Sequence, residues 1–93
     1  MDRKPELIEA ARRALITLKI QNACVDDAIP HTATHDFDLN KWSVHFREDS
    51  AKYFRVVVDT RDVLERYGQI NEDTLAERIV ALLAERDPND YLP

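Results

Sequence analysis

At 93 residues, 44% hydrophobic and 33% charged, the chain has the size and composition of one ordinary folded domain and leaves no room for a second independent core. A formal net charge of −5 excludes the strongly basic surface expected of a nucleic-acid binder, and a single cysteine excludes an internal disulfide and a multi-cysteine zinc centre. One glycine cannot build a phosphate-cradling loop, so dinucleotide-binding turns and P-loops are excluded as well.

From Pro5 to about Asn22, residues Leu7, Ile8, Ala11, Ala14, Leu15 and Leu18 recur at helical spacing with Glu6, Glu9 and Arg13 opposite, which predicts an amphipathic helix. Pro5 suits the first turn, and Glu9 with Arg13 makes a favourable i,i+4 pair. Ile20 falls off the stripe, so the helix either ends early or offers an apolar contact elsewhere. Residues 23–38 have no helical period, and Pro30 disfavours a helix through them. They read as an irregular loop, within which residues 32–35 are the place for a short third strand.

Alternation then takes over. Trp42, Val44 and Phe46 alternate with Ser43, His45 and Arg47, and after the turn Glu48-Asp49-Ser50-Ala51 the residues Phe54, Val56 and Val58 alternate with Tyr53, Arg55 and Val57. This predicts an antiparallel hairpin over about 40–58 with one apolar face. Asp59 or Thr60 caps a short helix over about 61–67, stopped by Gly68, and Asn71 caps a longer helix over about 72–86 with Leu75, Ile79, Leu82 and Leu83 on one face. Residues 88–93 read as a flexible tail. The fold class is therefore α+β in the order α-β-β-α-α, a small single domain whose hairpin packs on the first and last helices.

The N-terminus enters a charged amphipathic pattern without the apolar core of a signal peptide, and no stretch approaches the length of a membrane span. A cytoplasmic location is expected. Charge is unevenly distributed: residues 1–22 and 39–58 carry an excess of bases, residues 23–38 carry only acids, and residues 59–93 are again acidic. A surface so divided can pair with a protein partner or with a second copy of itself.

Few residues offer catalytic chemistry. Ser43 and Ser50 lack a nucleophile-elbow context. Cys24 and His31 supply the parts of a thiol–imidazole pair, although a lone cysteine between Ala and Val is more often a small buried hydrophobe. His31, His35 and Asp36 are the first candidates for a metal site, weakened by Pro30 and the intervening threonines, which disfavour a helix presenting both rings together. The paired acids Asp26-Asp27, Asp36/Asp38 and Glu72-Asp73 adjoin no evident pocket, and the last pair suits a helix N-terminus. No cofactor is expected.

The remaining candidate is the second face of the hairpin, where Ser43, His45, Arg47, Tyr53 and Arg55 project together, with Val57 beside them and Lys41 toward one end. Tyr and Arg are favoured at protein interfaces, whereas the flanking acids would repel a phosphate backbone. The expectation is a non-enzymatic protein-interaction or regulatory domain, homodimeric in its simplest form. The alternatives are a metal-binding protein using the His/Asp segment and a weak single-stranded nucleic-acid binder.

Overall fold

The apolar stripe of the first helix and the apolar face of the hairpin meet in one core. The computed structural model describes residues 3–32 and 37–93. Its elements run α1 (Lys4–Thr17), β1 (Ala23–Thr32), β2 (Phe37–Glu48), β3 (Tyr53–Asp59), α2 (Thr60–Tyr67) and α3 (Glu72–Glu85). The strands form an antiparallel meander in the order β1-β2-β3. The helices lie against one face of it, with α1 and α3 packed on each other. The class is α+β as the sequence predicts, in the order α-β-β-β-α-α. No helix among the described residues is long and apolar enough to cross a membrane.

The third strand is the main correction. It occupies residues 23–32, the segment read as irregular, while the 32–35 segment suggested for it lies largely outside the described residues. Pairing with β2 slips between Val25 and Asp27 and again between Pro30 and Thr32. The first slip inserts one residue, so Val25 faces the core and the next core residue is Ala28, three positions on. A bulge that breaks period-two alternation hides a strand from pattern reading. Pro30 is tolerated because β1 is an edge strand.

Helix α1 stops at Thr17, five residues before the predicted end. Lys19 adopts a left-handed φ of 57°, its N–H donates to Ile16 O, and the Ile20 N–H donates to Leu15 O. These bonds make a Schellman cap, in which Ile20 leaves the helical stripe to contact the core. The i,i+4 pair expected within α1 does not form. Glu9 bonds Arg12 instead, and Arg13 reaches Glu72 (2.9 Å) and Asp73 at the start of α3. Those two acids hold the Arg13 proton more firmly than usual, Asp73 first and Glu72 next, so that guanidinium bridges the two helices.

The hairpin's apolar face is as predicted, and its register sets Trp42 against Val58, Val44 against Val56 and Phe46 against Phe54, all six buried. Ala51, at φ 63°, closes the turn, with Glu48 N–H donating to Lys52 O. Asp59 caps α2 by accepting from the Arg61 N–H, and Gly68, at φ 78°, terminates it. Asn71 caps α3 in a reciprocal box with Thr74, each side chain accepting the other's backbone N–H. The tail is docked: the Leu92 N–H donates to Tyr53 O at 2.7 Å on the edge of β3, and the Tyr91 hydroxyl donates to Glu48.

Candidate functional site

With helices on one side only, the second face of the sheet is open, and pairing fixes which residues share it. Backbone partners run in three rows across the strands: Cys24, Arg47 and Tyr53; Asp27, His45 and Arg55; Ile29, Ser43 and Val57. The face is therefore three strands wide, and β1 contributes a third of it. Sequence reasoning placed Ser43, His45, Arg47, Tyr53, Arg55 and Val57 together but missed Cys24, Asp27 and Ile29, because the bulge conceals their strand.

Burial separates these residues into a floor and a surface. Ser43 is only 2% exposed, and its hydroxyl lies 3.0 Å from His31 Nδ1. Ser43 thus fastens β1 to β2 from beneath the surface and is not itself presented to a partner. His45 is half-buried, and its Nε2 finds no hydrogen-bond partner among the described residues. Arg47, Tyr53 and Arg55 are exposed, as are Ile29 at 40% and Val57 at 37%.

Charge divides the face across its width. On the β1 side, the Asp27 carboxylate pairs with Lys4 Nζ at 3.0 Å and accepts from the Ala28 N–H. These contacts, Lys4 first and Ala28 next, hold Asp27 below the ordinary carboxylate range. On the other side, Arg55 is exposed at the same level of the sheet. Arg47 sits between them at the next row, where the neighbouring Cys24 and Tyr53 raise its guanidinium above the usual value.

The remaining candidates are not assembled into one site. Cys24 is exposed, against the expectation of a buried hydrophobe, and lies near one end of β1. His31 lies seven residues along the same strand, roughly 20 Å away at about 3.3 Å per residue. A thiol–imidazole pair between them is ruled out by that separation. Of the metal candidates, His31 is bonded to Ser43, while His35 and Asp36 lie outside the described residues. No group of three or more His, Cys, Asp or Glu side chains among the described residues is arranged to hold a metal ion. Asp26 and Asp27 flank the bulge of β1, and Glu72 and Asp73 bind Arg13 at the α3 terminus.

The concavities lie off the face or at its end. One groove of about 490 Å³ runs between α1 and α3 over Arg13, Thr17, Asp73 and Val80. A smaller cleft, about 360 Å³, opens at the end of α1 beside Ile16, Ile20 and Cys24, and a third hollow of about 290 Å³ lies at the hairpin turn beside Arg47 and Glu48. None encloses a set of convergent polar groups. Comparison with protein-family models, curated proteins and solved structures finds no match to this chain.

Proposed function

We propose that the chain is a non-enzymatic protein-interaction domain that works through the open face of its sheet. One observation carries this reading. Of the five exposed large hydrophobic residues among those described, three (Ile29, Tyr53 and Val57) gather on this one face, beside Arg47 and Arg55. Scattered apolar residues are ordinary on any surface, but a cluster mixed with tyrosine and arginine is the composition of a protein-contact patch. The acids on β1 argue against a phosphate backbone as the ligand. Self-association is the simplest form of the contact, and the exposed lone thiol of Cys24 suits a reducing, cytoplasmic setting.

The direct test is the double change Tyr53→Ala with Arg55→Glu. Both side chains are exposed, so circular dichroism should match that of the parent chain and the unfolding free energy should change by no more than about 0.5 kcal/mol. Association, read by sedimentation velocity across a concentration series and by capture of protein partners, should be lost. Undiminished association of the double variant would show that the face is not the contact surface.

A further inference from the structure

The open face differs from one side to the other, and the difference has a symmetry. Its β1 side carries Asp26 and Asp27 with no base in the strand from Ala23 to Pro30, and of these two acids Asp27 is paired with Lys4 of α1. Its β3 side carries Arg55 with no acid from Tyr53 to Val58. Asp27 and Arg55 share one row, on either side of His45, and Ile29 and Val57 share the next, on either side of Ser43.

Two sheets stacked face to face can be related by a two-fold axis along the strands or across them. An axis across the strands sets β1 over β1, acid against acid, and β3 over β3, base against base. An axis along β2 places β1 of each copy over β3 of the other at unchanged height. Asp27 then meets Arg55 twice, and Ile29 meets Val57 twice. This arrangement has the aligned strand directions of ordinary sheet packing. The two Arg47 side chains approach each other only at the exposed end of the patch, across a sheet separation of about 10 Å where solvent screens them.

Edge-to-edge pairing is the competing route to a dimer, and both edges are obstructed. The β1 edge is broken at two points and contains Pro30, and the β3 edge at Tyr53 already accepts the Leu92 N–H. Resting on the interaction reading above, we propose that the open face is covered by a second copy of this chain, sheet on sheet about a two-fold axis along β2, with Asp27 of each copy opposite Arg55 of the other. Three strands about 4.8 Å apart and three rows of facing residues about 6.8 Å apart give a footprint of roughly 14 by 20 Å. A contact of about 300 Å² per copy falls below the range of stable specific interfaces, so the dimer is weak and concentration-dependent.

A charge exchange between copies tests the axis. Asp27→Arg alone places arginine opposite Arg55, and Arg55→Asp alone places aspartate opposite Asp27. Each variant should dimerise at least tenfold more weakly than the parent chain in sedimentation velocity. An equimolar mixture of the two restores an opposite pair at both contacts, so it should regain the dimer as a heterodimer, visible by native mass spectrometry. Lys4→Ala releases the Asp27 carboxylate from its ion pair within the chain and should strengthen dimerisation, most clearly at low salt. Circular dichroism confirms the fold of each variant. A parent chain that stays monomeric at every concentration, or a mixture no more associated than its components, overturns the two-fold arrangement. The broader reading fails separately, if the Tyr53→Ala, Arg55→Glu chain associates as the parent does. Loss of association in that chain without rescue in the mixture leaves the face correct and the axis wrong.

Discussion

Phe46→Ala is expected to destabilise the folded chain by about 3–5 kcal/mol. Phe46 lies on the central strand at 0% exposure, and its ring stacks on Phe54 with centroids 5.1 Å apart. Val25 of β1 is its other cross-strand neighbour, so truncation opens a cavity between all three strands and the helices over them. A domain of this length has roughly 5–14 kcal/mol of stability in total. The change therefore removes about a fifth of it at the least and, toward the lower end of that range, brings the variant near unfolding at physiological temperature. Urea titration should show a lower midpoint with an unchanged slope. Val57→Ala, one strand away on the open face, should stay within about 0.5 kcal/mol. Equal losses at the two positions would show that the core lies elsewhere.

The second large effect concerns the tail. Ending the chain after Asp87 should cost about 2–3 kcal/mol, from an aromatic contact and a hydrogen bond to a carboxylate that are both lost. The Tyr91 hydroxyl donates to both oxygens of Glu48 at 3.1 Å, and its ring meets Phe54 edge-on at 6.5 Å. Arg86 lies over Phe54 at 3.7 Å and within 5.3 Å of the Tyr91 ring, and Lys52 covers the same tyrosine at 4.9 Å. The cost is moderated because Arg86 Nε and Nη2 are buried without hydrogen-bond partners among the described residues, and removing the tail should return them to water. Truncation also frees the Tyr53 carbonyl that Leu92 occupies, leaving a strand edge open to other chains. A melting point lowered by roughly 10–20 °C, with light scattering that rises with concentration, is the expected result. A truncated chain as stable and as soluble as the full one would mean that the tail contacts contribute nothing.

Much of this architecture was legible in the sequence where local chemistry and tertiary packing agree. The stripe from Leu7 to Leu15, the alternation from Trp42 to Val58, Gly68 at a left-handed position and Asn71 at a cap each specify one conformation. The failures share a physical cause, which is that a distant contact decides the outcome. Lys19 takes the left-handed position that glycine usually fills, so the end of α1 carried no glycine signal, and only the misplaced Ile20 hinted at it. Asp26, Asp27 and Pro30 are poor strand formers that β1 accommodates as a bulged edge along β2. The polar tail stays in place through two residues, Tyr91 and Leu92, that meet partners about forty positions away. The candidate site followed the same division. Its β2 and β3 residues were placed together from alternation alone, whereas Asp27 and Ile29 needed the bulge to be seen.

Arg13 joins residues 59 and 60 positions further along the chain, and the seam it spans is expected to close late in folding. Bringing together ends some sixty residues apart costs roughly 2–3 kcal/mol more loop entropy than closing a three-residue hairpin turn. The meander can zip through short loops, while the packing of α1 on α3 must wait for both ends of the chain to arrive. Losing the Arg13 bridge by Arg13→Ala should accordingly quicken unfolding and leave the refolding rate almost unchanged in stopped-flow measurements. A slowed refolding limb would instead place the helix seam in the folding nucleus. An unchanged refolding rate would make the packing of the first helix on the last a late clasp on a sheet that forms ahead of it.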